Sequence, residues 1–168
     1  AVAQLHVGVA QFQVDVGVGR EFLVVDHQRA AQAAGIELSV IEEFEVDGVK
    51  MVFQNAPDTE APVEMNTYFP QFKALWSSEV VTGTIHNIYT LRGAAVRNAI
   101  NWSKEINEAL YMFGGDVEVM FASHSWPRWG NARIQEVLRT QRDAYANLNN
   151  QTLHYVNQGV TINEIHNV

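Results

Sequence analysis

The sequence predicts one layered domain of the α/β or α+β class, and three observations support this. Apolar residues before Gly93 fall in short strand-like runs, whereas after Gly93 they recur at the three- and four-residue spacing of helices. One more strand-like run, residues 117–122, lies among the helical segments. At 168 residues, 47% of them hydrophobic and 18% charged, the chain can bury a real core. A mixed sheet flanked by helices is therefore expected.

The N-terminal segment carries the weakest pattern. Residues 1–20 alternate apolar and polar positions but contain three glycines, which weaken strands, so a short extended piece and a loop are expected. Residues 27–35 predict a short helix that ends at Gly35. We leave residues 1–36 without a domain assignment.

The strands that follow are marked by their turns. Asp47-Gly48 stands between two β-rich runs, which is a strong hairpin signal and predicts strands at about 40–46 and 49–54. A loop over 56–65 follows, and two short strands around Pro70-Gln71 form a second hairpin-like turn.

Helical spacing begins after Gly93 and predicts a first helix that ends at Gly114-Gly115. A second helix and a short third helix over 150–157, ending at Gly159, follow the strand 117–122. The apolar faces are carried by Val96, Ile100, Ser103, Ile106, Leu110 and Phe113 in the first helix and by Ile134, Val137, Leu138, Gln141, Tyr145 and Leu148 in the second. Thr161 to Glu164 has the form of a capping box. It predicts either a single terminal turn or the start of a further helix.

Composition excludes several classes of function. The net charge of −8 and a pI near 5.1 argue against a nucleic-acid partner. Without cysteine there are no disulfides or thiolate ligands, so a metal would need His, Asp or Glu. No apolar run is long enough to span a membrane. The first ten residues lack the basic region of a signal peptide, and the sequence does not assign a compartment.

Three polar residues follow predicted strands, namely Glu60, Glu79 and His124. Strand ends at one edge of a sheet converge, and carboxylate with imidazole suits a divalent ion such as zinc. The commoner roles of such residues are a solvated acid and a hydrogen-bonded histidine, and spacing alone leaves both interpretations open.

Arg92 precedes the first long helix, where a guanidinium suits a tetrahedral oxyanion, although an ordinary surface or capping arginine is the commoner case. His86, Asn87 and Tyr89 either line the same pocket or pack. Residues 123–130, with two tryptophans, a proline and an arginine, form either a pocket wall or a packed loop.

Four blocks in the same order resemble the alkyl sulfatases, enzymes of secreted or periplasmic type that hydrolyse alkyl sulfate detergents. The similarity covers roughly residues 37–168, and the blocks read DGVKMVFQNAPDTEAPVEMNTYFPQFKALWSSE, HNIYTLRGAAVRNA, FASHSWPRWGNARIQEVLRTQRD and NQTLHYVNQGVTINEI. The resemblance implies a metallo-β-lactamase-like αββα sandwich with two zinc ions bridged by water or hydroxide. Its ligands are an HxHxDH motif, two glutamates and one further histidine.

Matched motif by motif, the resemblance places the zinc ligands at Glu60 in TEAP, Glu79 in SSE and His124 in ASH. It places the sulfate-contacting arginine at Arg92 in TLRG.

The chain departs from the family pattern. It has no HxHxDH, since no two of its six histidines are two residues apart, so four expected zinc ligands are missing. Val80 stands where the family has Asn, and Ser125 where it has a second His. We therefore expect half of the sandwich, with a partial domain over 37–160 and the start of a truncated helical region over 161–168.

Two functions remain open. The first is a zinc-dependent alkyl sulfatase fragment with an incomplete site, whose substrates would be alkyl sulfates or other small sulfate esters. The second is a noncatalytic binding or assembly module, either homo-oligomeric or joined to a complementing chain, because half a sandwich exposes an apolar sheet face. For the chain alone we expect no efficient sulfatase activity, because a partial ligand set binds metal weakly.

Overall fold

The computed structural model describes residues 41–93 and 95–168, together with two short paired strands, β1 (Ala3–Gln4) and β2 (Gln13–Val14). The helix predicted over 27–35 lies outside the described residues, as does most of the segment 1–20.

A mixed six-stranded sheet forms the frame of the molecule, and its strands lie side by side in chain order. They are β3 (Ile41–Val46), β4 (Val49–Asn55), β5 (Met65–Phe69), β6 (Ala74–Trp76), β7 (Val119–Ala122) and β8 (Ser125–Trp129). All neighbours are antiparallel except β6 and β7, which are parallel. A parallel pair needs a long crossover, and here it contains helix α1 (Ala99–Phe113).

Both predicted hairpins are confirmed. Val46 pairs with Val49, so Asp47-Gly48 is a two-residue loop. Both loop residues have positive φ, 50° and 82°, as a type I′ turn requires. The second turn contains a 3₁₀ turn, Pro70–Phe72, and then Lys73 at a φ of 48°.

Helix α1 begins one turn later than predicted. Asn98 caps it, accepting a hydrogen bond from the Asn101 N–H at 3.1 Å, and it ends at Phe113 before Gly114. The expectation that Val96 belongs to the buried face is wrong, because Val96 precedes the cap and is 70% exposed.

A single helix, α2 (Asn131–Asn157), replaces the two helices predicted after residue 130. Its 27 residues contain no glycine or proline, so nothing in the backbone interrupts the hydrogen bonding near Asn149 and Asn150. It is not apolar enough to cross a membrane, and neither is any other helix among the described residues.

Residues 125–129 form strand β8, which the sequence did not predict. Proline is unfavourable in a central strand because it lacks the N–H that such a strand donates, and Pro127 lies in the middle of β8. The sheet tolerates it because, among the strands that the structure describes, β8 is the last in the order and pairs with β7 alone.

The core lies between the sheet and the two helices. Leu75 and Met120 share one buried cluster with Trp102 of α1 and Leu138 of α2. Side chains alternate along a strand, so Trp76 and Phe121 point away from this cluster, and their rings stack 6.5 Å apart. The α+β class with a mixed sheet is thus confirmed.

The predicted capping box forms in part, because the Thr161 N–H reaches the Glu164 carboxylate, whereas the Glu164 N–H donates to Thr161 O and not to the Thr161 hydroxyl. The N–H and hydroxyl of Thr161 both donate to Glu164 Oε2, at 3.0 and 2.6 Å, and a single 3₁₀ turn, Ile165–Asn167, follows.

Candidate metal centre

Two acids and a histidine converge at the edge where the loops after β4 and β6 meet. Glu60, Glu79 and His86 each present a ligand atom, and these atoms all lie within 4.8 Å of one another. All three side chains are partly buried. The sequence predicted that Glu60 and Glu79 come together, and the structure brings them together with His86 in addition.

The loop 56–64 holds Glu60 by its own hydrogen bonds. The Ala56 N–H donates to Glu64 O at 2.8 Å and closes the loop, while the buried Thr59 hydroxyl donates to Ala56 O at 2.8 Å. The Glu60 side chain is only 18% exposed, so Glu60 is a partly buried residue and not a solvated surface acid.

Two serines clamp the turn that carries Glu79. The Ser77 N–H donates to Phe121 O at 2.9 Å, and the Ser78 hydroxyl donates to Met65 O at 2.6 Å. Ser78 adopts a φ of 46°, a left-handed conformation that is unfavourable for serine. Its carbonyl also accepts the Ser123 N–H at 2.9 Å, which ties this turn to the residue before His124.

Glu79 lies between two histidines. His124 Nε2 is 2.9 Å from Glu79 Oε1, and His86 Nε2 is 4.0 Å from Glu79 Oε2. His124 is 70% exposed, whereas His86 is 22% exposed and its backbone N–H donates to the Tyr145 hydroxyl at 3.1 Å. The predicted ligand His124 therefore reaches one of the two glutamates, and His86 is the histidine held beside both.

Arg97 binds Glu60 and was missed by the sequence reasoning. Its guanidinium pairs with Glu60 Oε1 and also donates to Asn87 Oδ1 at 2.8 Å. Arg92 is instead exposed in the turn formed by residues 91–93. Both arginines stand in the same sequence block, and no spacing signal separates the one that reaches an acid from the one that does not.

Glu64 is a third acid at this edge that was also missed. Burial raises the pKa of its carboxyl, and the charges of Glu60 and Glu79 raise it further. Backbone N–H groups of Glu79 and Met65 partly offset that rise. We call Glu60, Glu64 and Glu79 the carboxylate cluster. A cation placed there would relieve the repulsion among its members.

The donor set fits a divalent ion with oxygen and nitrogen ligands. Two zinc ligands with bonds of about 2.1 Å stand at most about 4.2 Å apart, so a small side-chain movement would bring Glu60, Glu79 and His86 onto one ion. Arg97 does not prevent this, because a carboxylate has two oxygens, and a hydrogen bond to one oxygen orients the other.

Comparison with known proteins places these residues in a wider context. No family model matches the chain. A linear primary-alkylsulfatase from a Pseudomonas species is 48% identical over 124 residues, which are 74% of this chain and 18% of that protein. An alkyl/aryl-sulfatase from Saccharomyces cerevisiae is 46% identical over 125 residues, covering 74% of this chain and 19% of that protein.

A solved alkylsulfatase structure is also similar to this chain. The stereoselective inverting sec-alkylsulfatase Pisa1 from a Pseudomonas species matches with a TM-score of 0.73 at 40% identity. The match covers 77% of this chain and 20% of that one. The chain thus spans about a fifth of the length of these relatives.

Proposed function

We propose, from the premise that this chain belongs to the alkyl sulfatase family over the 74% of its length matched by its relatives, that it carries part of the centre of a zinc-dependent sulfate ester hydrolase. Alkyl sulfates or other small sulfate esters are the proposed substrates. The observation that carries the proposal is the convergence of Glu60 and Glu79 with a histidine at a partly buried edge.

Glu60, Glu79 and His124 are the residues we propose as zinc ligands, with His86 within reach of the same ion. The family resemblance implies two zinc ions. When bound, zinc supplies Lewis acidity that lowers the pKa of a water and polarises an oxygen of the ester.

The chain's own residues would orient this centre. Arg97 holds Glu60 through Oε1, and the paired Ser77 and Ser78 bonds hold the turn of Glu79. Arg92, exposed before α1, is proposed to contact the sulfate, because a guanidinium offers paired donors that match a tetrahedral oxyanion.

A second candidate, a noncatalytic binding or assembly module, is supported by exposed aromatic residues. Trp126 is 90% exposed and Trp129 is 63% exposed on the outer strand β8, and Trp76 is 41% exposed on the face opposite the helices. Apolar surface of this kind commonly marks a partner surface. This candidate predicts a homo-oligomer or a complex with a complementing chain.

Zinc titration together with turnover of a medium-chain alkyl sulfate tests the first candidate. We expect the chain to bind zinc and Glu79→Gln to weaken that affinity by about 100-fold, because a ligand is lost outright. Turnover is expected to be low and to fall with the same variant.

Glu136→Gln is the matched control, because Glu136 is exposed on α2, and its zinc affinity should equal that of the unchanged chain. A folded chain that binds no zinc would contradict the hydrolase proposal. A monomeric mass from sedimentation would contradict the homo-oligomer.

A further inference from the structure

We propose that the cavity beside the carboxylate cluster binds a tetrahedral oxyanion, with Arg128 and Arg133 as its cationic groups. That the cavity takes an anion follows from its own geometry. That the anion is the sulfate of an organic ester rests on the proposed function.

The cavity lies between the loop 82–87 and strand β8 and has a volume of about 600 Å³. Small-molecule sites commonly measure about 300–1,000 Å³, so the space exceeds what a bare inorganic ion needs. His86 and His124 line it as well, so the cavity adjoins the edge where Glu60, Glu79 and His86 converge. We call it the arginine cavity.

The lining is positive in an acidic protein. The chain has 19 acidic residues and a net charge of −8, yet the residues that line the cavity include two arginines, two histidines and neither Asp nor Glu. Arg97 and Arg142 both have a carboxylate partner. In the part of the chain that the structure describes, no carboxylate forms an ion pair with Arg128 or Arg133. An anionic ligand can therefore neutralise the charges of Arg128 and Arg133.

Arg128 lies against the wall of the cavity. It is partly buried on β8, and its Nη2 lies 3.6 Å from where a side chain at Gly83 would place its Cβ. The Gly83 N–H in turn donates to the Ser125 hydroxyl, so the loop and the strand are joined at this point. The guanidinium therefore lies near the backbone of residue 83.

The pKa of the Arg128 guanidinium is shifted in the direction expected for a cation without an anionic partner. Burial lowers the pKa of its guanidinium, and the like charge of Arg133 lowers it further. An oxyanion between the two arginines would offset the repulsion between them, and its oxygens match the donor geometry of a guanidinium.

An apolar wall adjoins the charged one. Trp126 is 90% exposed and Ile85 is 45% exposed, and both line the cavity. An anion that carries an alkyl or aryl group would cover this surface, and a bare inorganic ion would not. Inorganic sulfate and an organic sulfate ester both carry the oxyanion. Only the ester carries the organic group that distinguishes the two ligands.

Calorimetric titration of the full chain in EDTA tests the site without metal. The probes are inorganic sulfate, octyl sulfate below its micelle concentration, and octanol. We expect octyl sulfate to bind most tightly, inorganic sulfate more weakly, and octanol not measurably. Arg128→Gln and Arg133→Gln should each raise the dissociation constant of octyl sulfate by about tenfold, because each removes charge-assisted hydrogen bonds.

Arg139→Gln is the matched control, since it removes the same charge from the exposed surface of α2, and it should bind as the unchanged chain does. Arg133 is exposed, so its variant keeps the fold even if the Arg128 variant does not. Unchanged affinity in the Arg133 variant, or octanol binding as well as octyl sulfate, would overturn the proposal. Loss of binding in Arg92→Gln with none in Arg133→Gln would also overturn it. Failure of the chain to bind zinc would leave these titrations unaffected.

Discussion

The carboxylate cluster and the arginine cavity lie side by side and concentrate opposite charges, and they meet where His124, which lines the cavity, lies 2.9 Å from Glu79. The cluster brings three acids together, and burial with mutual repulsion raises the pKa of Glu64. The cavity brings Arg128 and Arg133 together, and the same two causes lower the pKa of Arg128. Had Arg128 and Arg133 paired with the three acids, the described residues would form a structural ion-pair network. Kept apart, each is suited to a ligand of the opposite sign.

The two regions also differ in what supports them. Hydrogen bonds from strand ends hold the cluster, such as the Ser78 hydroxyl to Met65 O. Helix α2 holds the loop of the cavity, since Gln141 Nε2 donates to Thr82 O at 2.7 Å and the Tyr145 hydroxyl accepts the His86 N–H. Substitutions in these supports should therefore affect one region more than the other, except where the core or His86 serves both.

Trp102→Ala should remove the distinction by damaging both regions. Trp102 is fully buried, its indole N–H donates to Val80 O at 2.8 Å, and its ring stacks on Tyr145 at 4.4 Å. We expect the free energy of unfolding to fall by about 3–5 kcal/mol, as for other aromatic truncations in a core. Urea denaturation followed by circular dichroism measures this.

The control for this prediction is Trp126→Ala, because Trp126 is 90% exposed and its loss should change stability by less than about 0.5 kcal/mol. An unfolding midpoint for Trp102→Ala equal to that of the unchanged chain would show that the two regions do not share this core.

Local signals predicted the parts of the fold that short-range chemistry determines. Asp47-Gly48 specified a hairpin because few residues accept positive φ at both turn positions. The same local signals failed for β8, where Pro127 argues against a strand unless the strand is known to lie at an edge. They failed for α2 because a weak second half was taken as a separate helix, although no residue there breaks it.

The site could be predicted in part. The positions of Glu60 and Glu79 after strands made them candidates, the family resemblance assigned them as ligands, and the structure brings the two together. Neither residue type nor spacing indicated that Arg97 would reach Glu60, because that contact joins residues 37 positions apart across the start of α1. His86 was a pocket candidate only, since its position beside Glu79 depends on the buried Tyr145 of α2.

Ser78→Ala should sharpen the comparison by weakening only the carboxylate cluster. The variant loses the hydroxyl bond to Met65 O, while the unfavourable φ of 46° remains. Glu79, the next residue, then loses part of its orientation, and we expect zinc affinity to fall by about tenfold, as for other supporting residues of metal ligands. Titrations of zinc and, in EDTA, of octyl sulfate measure the two regions separately.

Thr152→Ala is the control, because it deletes a hydroxyl bond on the exposed surface of α2 and should leave both affinities unchanged. If Ser78→Ala weakened zinc and octyl sulfate binding equally, the two regions would not be supported independently.

Tyr145→Phe should give the smallest effect and act on the loop 82–87, whose His86 borders both the cavity and the carboxylate cluster. The ring keeps its stack on Trp102, but the His86 N–H loses its acceptor, and we expect a loss of about 1 kcal/mol in the free energy of unfolding. Octyl sulfate affinity should fall by less than about threefold, because the loop 82–87 loses one of its attachments to α2.

The pH dependence of the free energy of unfolding tests the contribution of the Tyr145 phenol. Burial raises the pKa of Tyr145 from its ordinary value of 10 to about 12, so the folded state favours the protonated phenol. Its contribution to stability is fully present below pH 10 and is lost as the pH rises towards 12. Denaturation of the unchanged chain should show this loss, and Tyr145→Phe should show a smaller one. Equal slopes for the two proteins between pH 10 and 12 would mean that the phenol ionises as freely in the fold as in the unfolded chain. In that case the His86 N–H bond and the charge of Arg97, which both lower this pKa, would have offset the effect of burial.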